Sequence, residues 1–402
     1  MADEIRRSLP THTTGHHEFN FNGVFREVHS VPARNRLYKA QANIAERKWQ
    51  DAKDLLALAI EEPTCDDHDT RNLKLVLSEV EMYQARAIPE GTKPKENISW
   101  NDIRSRRVSK HFERFIDLPQ SIFLLKSNKT DRVVVGRRVL SHQYVDNKIR
   151  ELHCSHVTPD MIFGPLVDQR VKEDGYVVFY NDMTPDEKLG LMKSILDNGV
   201  EEYELGFPFP ALIGEKKQEI ESPDAGWEID EKLALSLGEG EVYIRDFTVR
   251  FLKALGRDDL RLFDCACSTG QFLYTMKHGV PGSYTIGSDL SAHMVKFATK
   301  RVDEIYCANA LEPKVPNKSV DVVFIRFINS EVVKTEIAPI FLKPLSECLK
   351  KGGLMIILGH TPILTSAAEI KMLVPNMEIQ QCIGGDLEWS GIFQYYVLKR
   401  TD

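Results

Sequence analysis

FDCACSTGQF, Phe263 to Phe272, stands between an apolar run and an amphipathic stretch, where a nucleotide-binding chain carries its glycine-rich turn. Only one of the expected glycines, Gly270, is present. No Lys-Ser/Thr pair follows it, so the turn is not a Walker loop, and it fits the dinucleotide pattern G-x-G-x-x-G poorly. Ala266 and Ser268 are the smallest substitutes for glycine. They still let the backbone approach a ligand closely, at a conformational cost wherever a positive φ is needed. Cys265 and Cys267 form a C-x-C inside the apolar run and read as small buried residues rather than metal ligands.

Working outward, the surrounding residues alternate strand and helix. EGEVYIRDFTVRFLKAL is an amphipathic helix, LRLFDCA a short buried strand, and STGQFLYTMK the start of a helix. YTIGSDL, EIYCANA, SVDVVFIRF and LMIILGH follow as strands. SAHMVKFATKR is a helix, and EIAPIFLKPLSECLKK is a helix stopped by Gly352 and Gly353. EIQQCIG and IFQYYVLKR complete seven strands. The pattern predicts a doubly wound α/β sheet, with ligands bound at the carboxyl ends of its strands. FDCACSTGQF then lies at the ligand edge, after the first strand.

With these elements in place, the segment from about Val242 to Arg400 resembles the class I S-adenosylmethionine (SAM)-dependent methyltransferases. Leu262, Phe263, Asp264 and Cys265 match the front of that family's first motif, and Ala266, Ser268 and Gly270 stand at its three glycine positions. LKKGGLMII matches its approach to the fifth strand. The resemblance implies that Asp264 helps position the methionine end of SAM. It implies that Asp289, ending GSD, accepts both ribose hydroxyls, with Leu290 and Met294 flanking the adenine. Asn309 in CANAL would face the adenine amino group, for which it has both donor and acceptor, and Ala310 would complete that contact. Tyr243 and Arg245, on the helix before the first strand, would reach the methionine carboxylate. His360, after the fifth strand, is a candidate general base.

The N-terminal part is α+β. A helical hairpin is expected over about 37–88, from Ala45, Trp49, Ala52, Leu55, Leu56 and Ala59 and then Leu73, Leu77, Val80 and Met82 at three- and four-residue steps. SIFLLKSNKTDRVVVGRRVL reads as a β-hairpin, and YVDNKIRELHCSHV as a helix. In GYVVFYNDMTPDEKLGLMKSIL a strand precedes a helix opened by Thr184, Pro185 and Glu187. ESPDAG, around Ser222 to Gly226, marks a boundary between residues 1–225, a domain that covers the substrate or binds a partner, and residues 226–402, the SAM-binding catalytic domain. Tyr176, Phe179 and Tyr180 are candidate acceptor-side aromatics, since a ring face attracts a methylsulfonium or a cationic acceptor.

Composition narrows the function. The chain has 402 residues, 42% hydrophobic and 28% charged, with formal net charge -7 and pI about 6.0. This mild acidity offers no electrostatic footprint for nucleic acid. No apolar run is long enough to span a bilayer and no leader is evident, which predicts a cytoplasmic protein. Seven cysteines without paired spacing predict reduced thiols and no metal site. Strand four runs into IRFINSE rather than an Asn/Asp-Pro-Pro-Tyr/Phe run, which argues against methylation of nucleobase amines. The expected reaction is in-line methyl transfer from the SAM sulfonium to a small molecule, an amine or amino-acid-derived metabolite. Two alternatives stand beside it. One is a same-fold enzyme that cyclises or cleaves SAM and releases methylthioadenosine. The other is a non-catalytic SAM-binding module that recruits a protein. A homo-oligomer is left open.

Overall fold

The computed structural model describes residues 28–45, 48–114, 122–138, 156–210, 222–228, 230–232, 235, 242–329, 332–359, 362–386 and 391–402. Helices α1 (Val31–Ala45), α2 (Trp49–Ile60) and α3 (Asp67–Arg86) come first. Helical spacing puts Leu37, Ala40 and Ile44, then Ala52, Leu56 and Ala59, then Leu73, Val76 and Val80 into one core. Where a hairpin of two helices is expected, three helices are described, α1 and α2 standing where one was expected. Asp66 caps α3 by accepting from Asp69 N, and buried Asp69 accepts from His29 N and Ser30 N.

A short helix α4 (Trp100–Arg104) leads into strands β1 (Val108–Arg114), β2 (Ile122–Ser127), β3 (Val133–Arg137), β4 (Ile162–Val171), β5 (Gly175–Asn181) and β6 (Tyr203–Gly206). They form an antiparallel sheet in the order β1-β5-β4-β3-β2-β6. The hairpin β2–β3 matches the sequence pattern, whereas β1, β4 and β6 were not foreseen. Arg137 ties the sheet to α3 through a bidentate pair with Glu79, and to β1 through a 2.9 Å bond to Glu113. Helix α5 (Pro185–Asn198) opens with a full capping box, Thr184 and Glu187, as its sequence predicts. The helix expected over YVDNKIRELHCSHV lies outside the described residues except for His156 and Val157.

The second half holds α6 (Val242–Ala254), β7 (Arg261–Asp264), α7 (Gln271–Gly279), β8 (Tyr284–Asp289), α8 (Ala292–Ala298), β9 (Glu304–Cys307) and β10 (Val320–Ile325). These are followed by α9 (Leu342–Glu347), β11 (Leu349–Ile357), α10 (Ala367–Leu373), β12 (Met377–Asp386) and β13 (Gly391–Arg400). The seven strands run in the order β12-β13-β11-β10-β7-β8-β9. Six run in one direction, five of them paired in parallel, and β13 inserts antiparallel between β11 and β12. Alternation along β10 sends Val323 and Ile325 into one core and Val322 and Phe324 into the other, so both faces are covered. One expectation fails here: α9 ends at Glu347, not at the tandem glycines. LKKGG already belongs to β11, where Gly352 takes φ 75 in an irregular stretch of the pairing with β10.

The two sheets meet beyond the carboxyl edge of the parallel strands. β13 runs past the end of β11, so Ile392 bridges Val157 and shares a core with Ile383, Phe123 and Leu205. Gln394 spans this seam, donating from Nε2 to Leu205 O (2.9 Å) and accepting at Oε1 from Ile363 N (2.9 Å). His156, against the Tyr243 ring, is kept neutral: burial, aided by the Arg138 charge, pushes its pKa down to about 3.

Candidate cofactor and active site

The strand order reverses between β7 and β10, the place where doubly wound sheets open a ligand crevice. The loop after β7 turns sharply. Ser268 has φ 49 and Gly270 φ 75, both left-handed. Two contacts fix it: Cys267 N donates to Ser288 O (2.8 Å), and Ser268 N donates to Asp289 Oδ2 (2.7 Å). Gly287 makes room, since a Cβ there would lie 2.8 Å from Cys267 Sγ. The other oxygen of Asp289, Oδ1, accepts from Ser291 N at 2.9 Å. Burial raises the Asp289 pKa above the ordinary carboxylate value, and these two amides act against that rise. Each oxygen keeps a second lone pair, so the carboxylate can still take two hydroxyls.

Asp264, at the end of β7, is fully buried. Its Oδ1 accepts from Ala266 N (3.1 Å), and its Oδ2 accepts from Arg326 Nε (2.9 Å), just past β10. The Arg326 guanidinium lies 4.5 Å from the centre of the Phe272 ring. Burial pushes the Cys265 and Cys267 thiols well up, so neither is a ready thiolate.

The structure thus gathers Asp264, Ala266, Ser268, Gly270 and Asp289 into one loop system. Met294 joins it, buried, with its Sδ 3.7 Å from Ser268 Oγ. Leu290 is exposed beside Asp289, and Ala310 is buried after β9. Asn309 is exposed, and its Oδ1 accepts from Leu311 N at 2.9 Å. Tyr243 and Arg245 are buried on α6, where the Tyr243 ring packs edge-on against His156 and Phe393. His360 lies outside the described residues.

Tyr176 and Tyr180 require a correction. Period-two alternation on β5 turns both into an enclosed cluster with Ile122, Leu124, Val135 and Phe163. The Tyr176 hydroxyl donates to Gln169 Oε1, and Tyr180 bonds Arg86. Burial pushes Tyr176 up to about 12, which makes it no base at neutral pH. Strands β4, β3 and β2 separate both from β6 at the seam. Arg326 was missed by the sequence reading. Its only local signal is a lone charge directly after the apolar run DVVFI, at the ligand edge.

A groove of about 450 Å³ lies at the opposite edge of the sheet, lined by residues including Arg257, Asp321, Gly353 and Lys399. Its central carboxylate is structural: Asp321 accepts from Arg261 N and pairs with Arg257 and Lys350.

The loop fits a nucleoside-bearing cofactor. Ser268 and Gly270 adopt the left-handed backbone that brings amides close to a ligand. Asp289 would hold ribose hydroxyls, with Leu290 and Met294 beside the base. Residues 262–353 match the model described as "Methyltransferase domain". Isonocardicin synthase of Nocardia uniformis subsp. tsuyamanensis is 34% identical over 251 residues, 62% of this chain and 80% of that protein. The sugar N-methyltransferase KedS8 of Streptoalloteichus sp. is 13% identical, with TM-score 0.35, over 46% of this chain and 99% of its own. A SAM-dependent methyltransferase of Aquifex aeolicus is 16% identical, with TM-score 0.34, over 42% of this chain and 99% of its own. The family match and the extent of the synthase relationship carry the assignment: the chain belongs to the class I SAM-dependent methyltransferases.

Proposed function

We propose that this enzyme acts on a small-molecule acceptor, an amine or amino-acid-derived metabolite, held between the carboxyl edge of the parallel sheet and the N-terminal half. One observation carries the reading: the N-terminal half docks on β13 beyond the strand ends, through Val157–Ile392 and Gln394–Leu205. Such a seam walls off the crevice on the β10–β11–β13 side and suits a small acceptor better than a polymer. The chain divides near residue 225 in this reading, with residues 1–225 covering the acceptor and 226–402 binding SAM. The bound cofactor supplies a carbon already activated by its sulfonium. The protein's own task is then to align the acceptor's lone pair and exclude water. A neutral amine needs little base catalysis, which suits a crevice whose loop thiols, Cys265 and Cys267, are poor bases. Among the described residues no helix is long and apolar enough to cross a membrane, and we assign the enzyme to the cytoplasm.

A metabolite screen with SAM, read by mass, tests this. Release of S-adenosylhomocysteine with a methylated acceptor supports methyl transfer. Release of methylthioadenosine supports a second reading, displacement at another carbon beside sulfur. That reading is favoured by the name of the 34% identical relative, a synthase named for a product and not for methylation. It also draws on a first loop that departs from Gly-x-Gly-x-Gly at Ala266 and Ser268. SAM binding with neither product would point to a non-catalytic module that recruits a protein.

A further inference from the structure

We propose that the groove of about 450 Å³ at the amino edge of the parallel strands is a second ligand site, remote from the cofactor loop, for a monocarboxylate with an apolar body. The inference goes beyond the proposed function and does not depend on the SAM reading.

Shape is the first support. The volume falls within the range of sites for small organic ligands, about 300–1,000 Å³. The floor is apolar: Phe251 and Leu255 of α6, Leu260 before β7, Leu354 of β11 and Val397 of β13 all line it. Leu255 keeps 37% of its surface exposed, and Phe251 and Leu354 are only partly buried. Single exposed apolar side chains are ordinary, but several grouped in a concavity form a surface that an apolar ligand can cover. The strand pairing shapes the lip. It steps from Val320–Leu349 to Val322–Leu354, so one residue of β10, Asp321, stands opposite four of β11, Lys350 to Gly353. Gly352 faces open space there, since a Cβ on it would meet nothing within 4 Å. A ligand can therefore reach the groove past this lip.

Charge is the second support, and it selects the sign of the ligand. Asp321 pairs with Arg257 and Lys350, and Arg257 also pairs with Asp259. These four charges cancel. Lys351 of β11, Lys399 of β13 and Glu201, in the turn before β6, line the groove as well. Among the described residues none of the three forms an ion pair. Two ammonium groups against one carboxylate leave one positive charge for a ligand to meet. A single carboxylate on an apolar body answers both the rim and the floor. Glu201 belongs to the N-terminal half and the lysines to the second sheet, so a bound ligand touches both halves and favours their docking.

The test is calorimetric titration with three probes: 4-phenylbutyrate, 4-phenylbutylamine, which carries the opposite charge on the same body, and butyrate, which lacks the ring. Exposed contacts to two lysines predict that the wild type binds 4-phenylbutyrate at least about fivefold tighter than the amine. Butyrate, which leaves the floor uncovered, should bind at least about tenfold more weakly than 4-phenylbutyrate. Lys351→Gln combined with Lys399→Gln should erase or reverse the preference for the anion. Leu255→Asn should weaken both ring-bearing probes by about three- to tenfold and keep the preference. All three side chains are exposed, so these variants should melt as the wild type does. A wild type that does not bind 4-phenylbutyrate, or binds it and the amine equally, overturns the proposal. So does a double lysine variant that keeps the full preference, because the anion then sits elsewhere. Unchanged affinity in Leu255→Asn removes the apolar floor and overturns it too.

Discussion

Replacing Asp289 by alanine separates two roles that the structure joins in one carboxylate. In the free protein, Asp289 accepts from Ser268 N at 2.7 Å and Ser291 N at 2.9 Å. Alanine strands both amides. Each charge-assisted bond and each poorly satisfied buried donor contributes about 1–3 kcal/mol. Removing a carboxylate whose pKa is raised by burial returns part of its desolvation cost. The net loss should be about 2–3 kcal/mol, and Tm should fall by roughly 4–12 °C for a cooperative unit of this size. With SAM bound, two further bonds to ribose hydroxyls are lost, which weakens affinity roughly 10- to 1000-fold. The contact lies away from the reacting carbon, so the loss should fall on KM for SAM and spare kcat. Calorimetry with S-adenosylhomocysteine, thermal melts of the free protein and steady-state kinetics read the three quantities separately. A lowered Tm with unchanged S-adenosylhomocysteine affinity would show that Asp289 only builds the loop, and would refute the ribose assignment.

Two further outcomes are expected. Ser268→Gly should relieve the left-handed strain at φ 49, worth about 1–3 kcal/mol, against about 0.5–1 kcal/mol of added chain entropy. Tm should hold or rise slightly with SAM affinity kept, and a clear drop in either would mean that the Ser268 hydroxyl is needed. Glu187 is buried, which alone would raise its pKa, yet Arg106, the Thr184 amide and Lys95 hold it down at about 2. A depressed carboxylate stabilises the fold above its unfolded pKa of about 4.5 and loses that effect as pH falls toward 2. Urea midpoints for Glu187→Gln should therefore lie well below wild type at pH 7, and the gap should narrow at pH 3. A gap independent of pH would sink the argument.

What was legible in the chain follows from the range of the interactions involved. The capping box at Thr184 and Glu187, the turn at Gly270 and the alternation of strand and helix after Val242 are local, and each was readable from spacing. β1, Val108–Arg114, was not, because VSKHFER is a largely polar edge strand with no continuous apolar run. β4 carries a Gly-Pro pair that reads as a breaker, yet Gly164 is needed there because a Cβ would lie 1.9 Å from Asn181 O. The aromatic alternation of β5 was read correctly as a strand and wrongly as a site wall, since one strand cannot reveal which of its faces is enclosed. Arg326 pairs with Asp264 across 62 positions, and no local pattern encodes that meeting.

The seam through Gln394 has a consequence for how the chain is made. Its partner Leu205 precedes it by 189 positions, so at synthesis rates of about 5–20 residues per second the N-terminal sheet waits roughly 10–40 s for its counterpart. Through that interval the face built on Phe123 and Leu205 lacks Ile383 and Ile392, which complete its core. Nascent chains of this protein should therefore be held by ribosome-associated chaperones until β12 and β13 emerge. A premature stop just before Gly391 would leave the second sheet without β13, with β12 deprived of its pairing strand and the Phe123–Leu205 face uncovered, a product marked for degradation instead of partial activity.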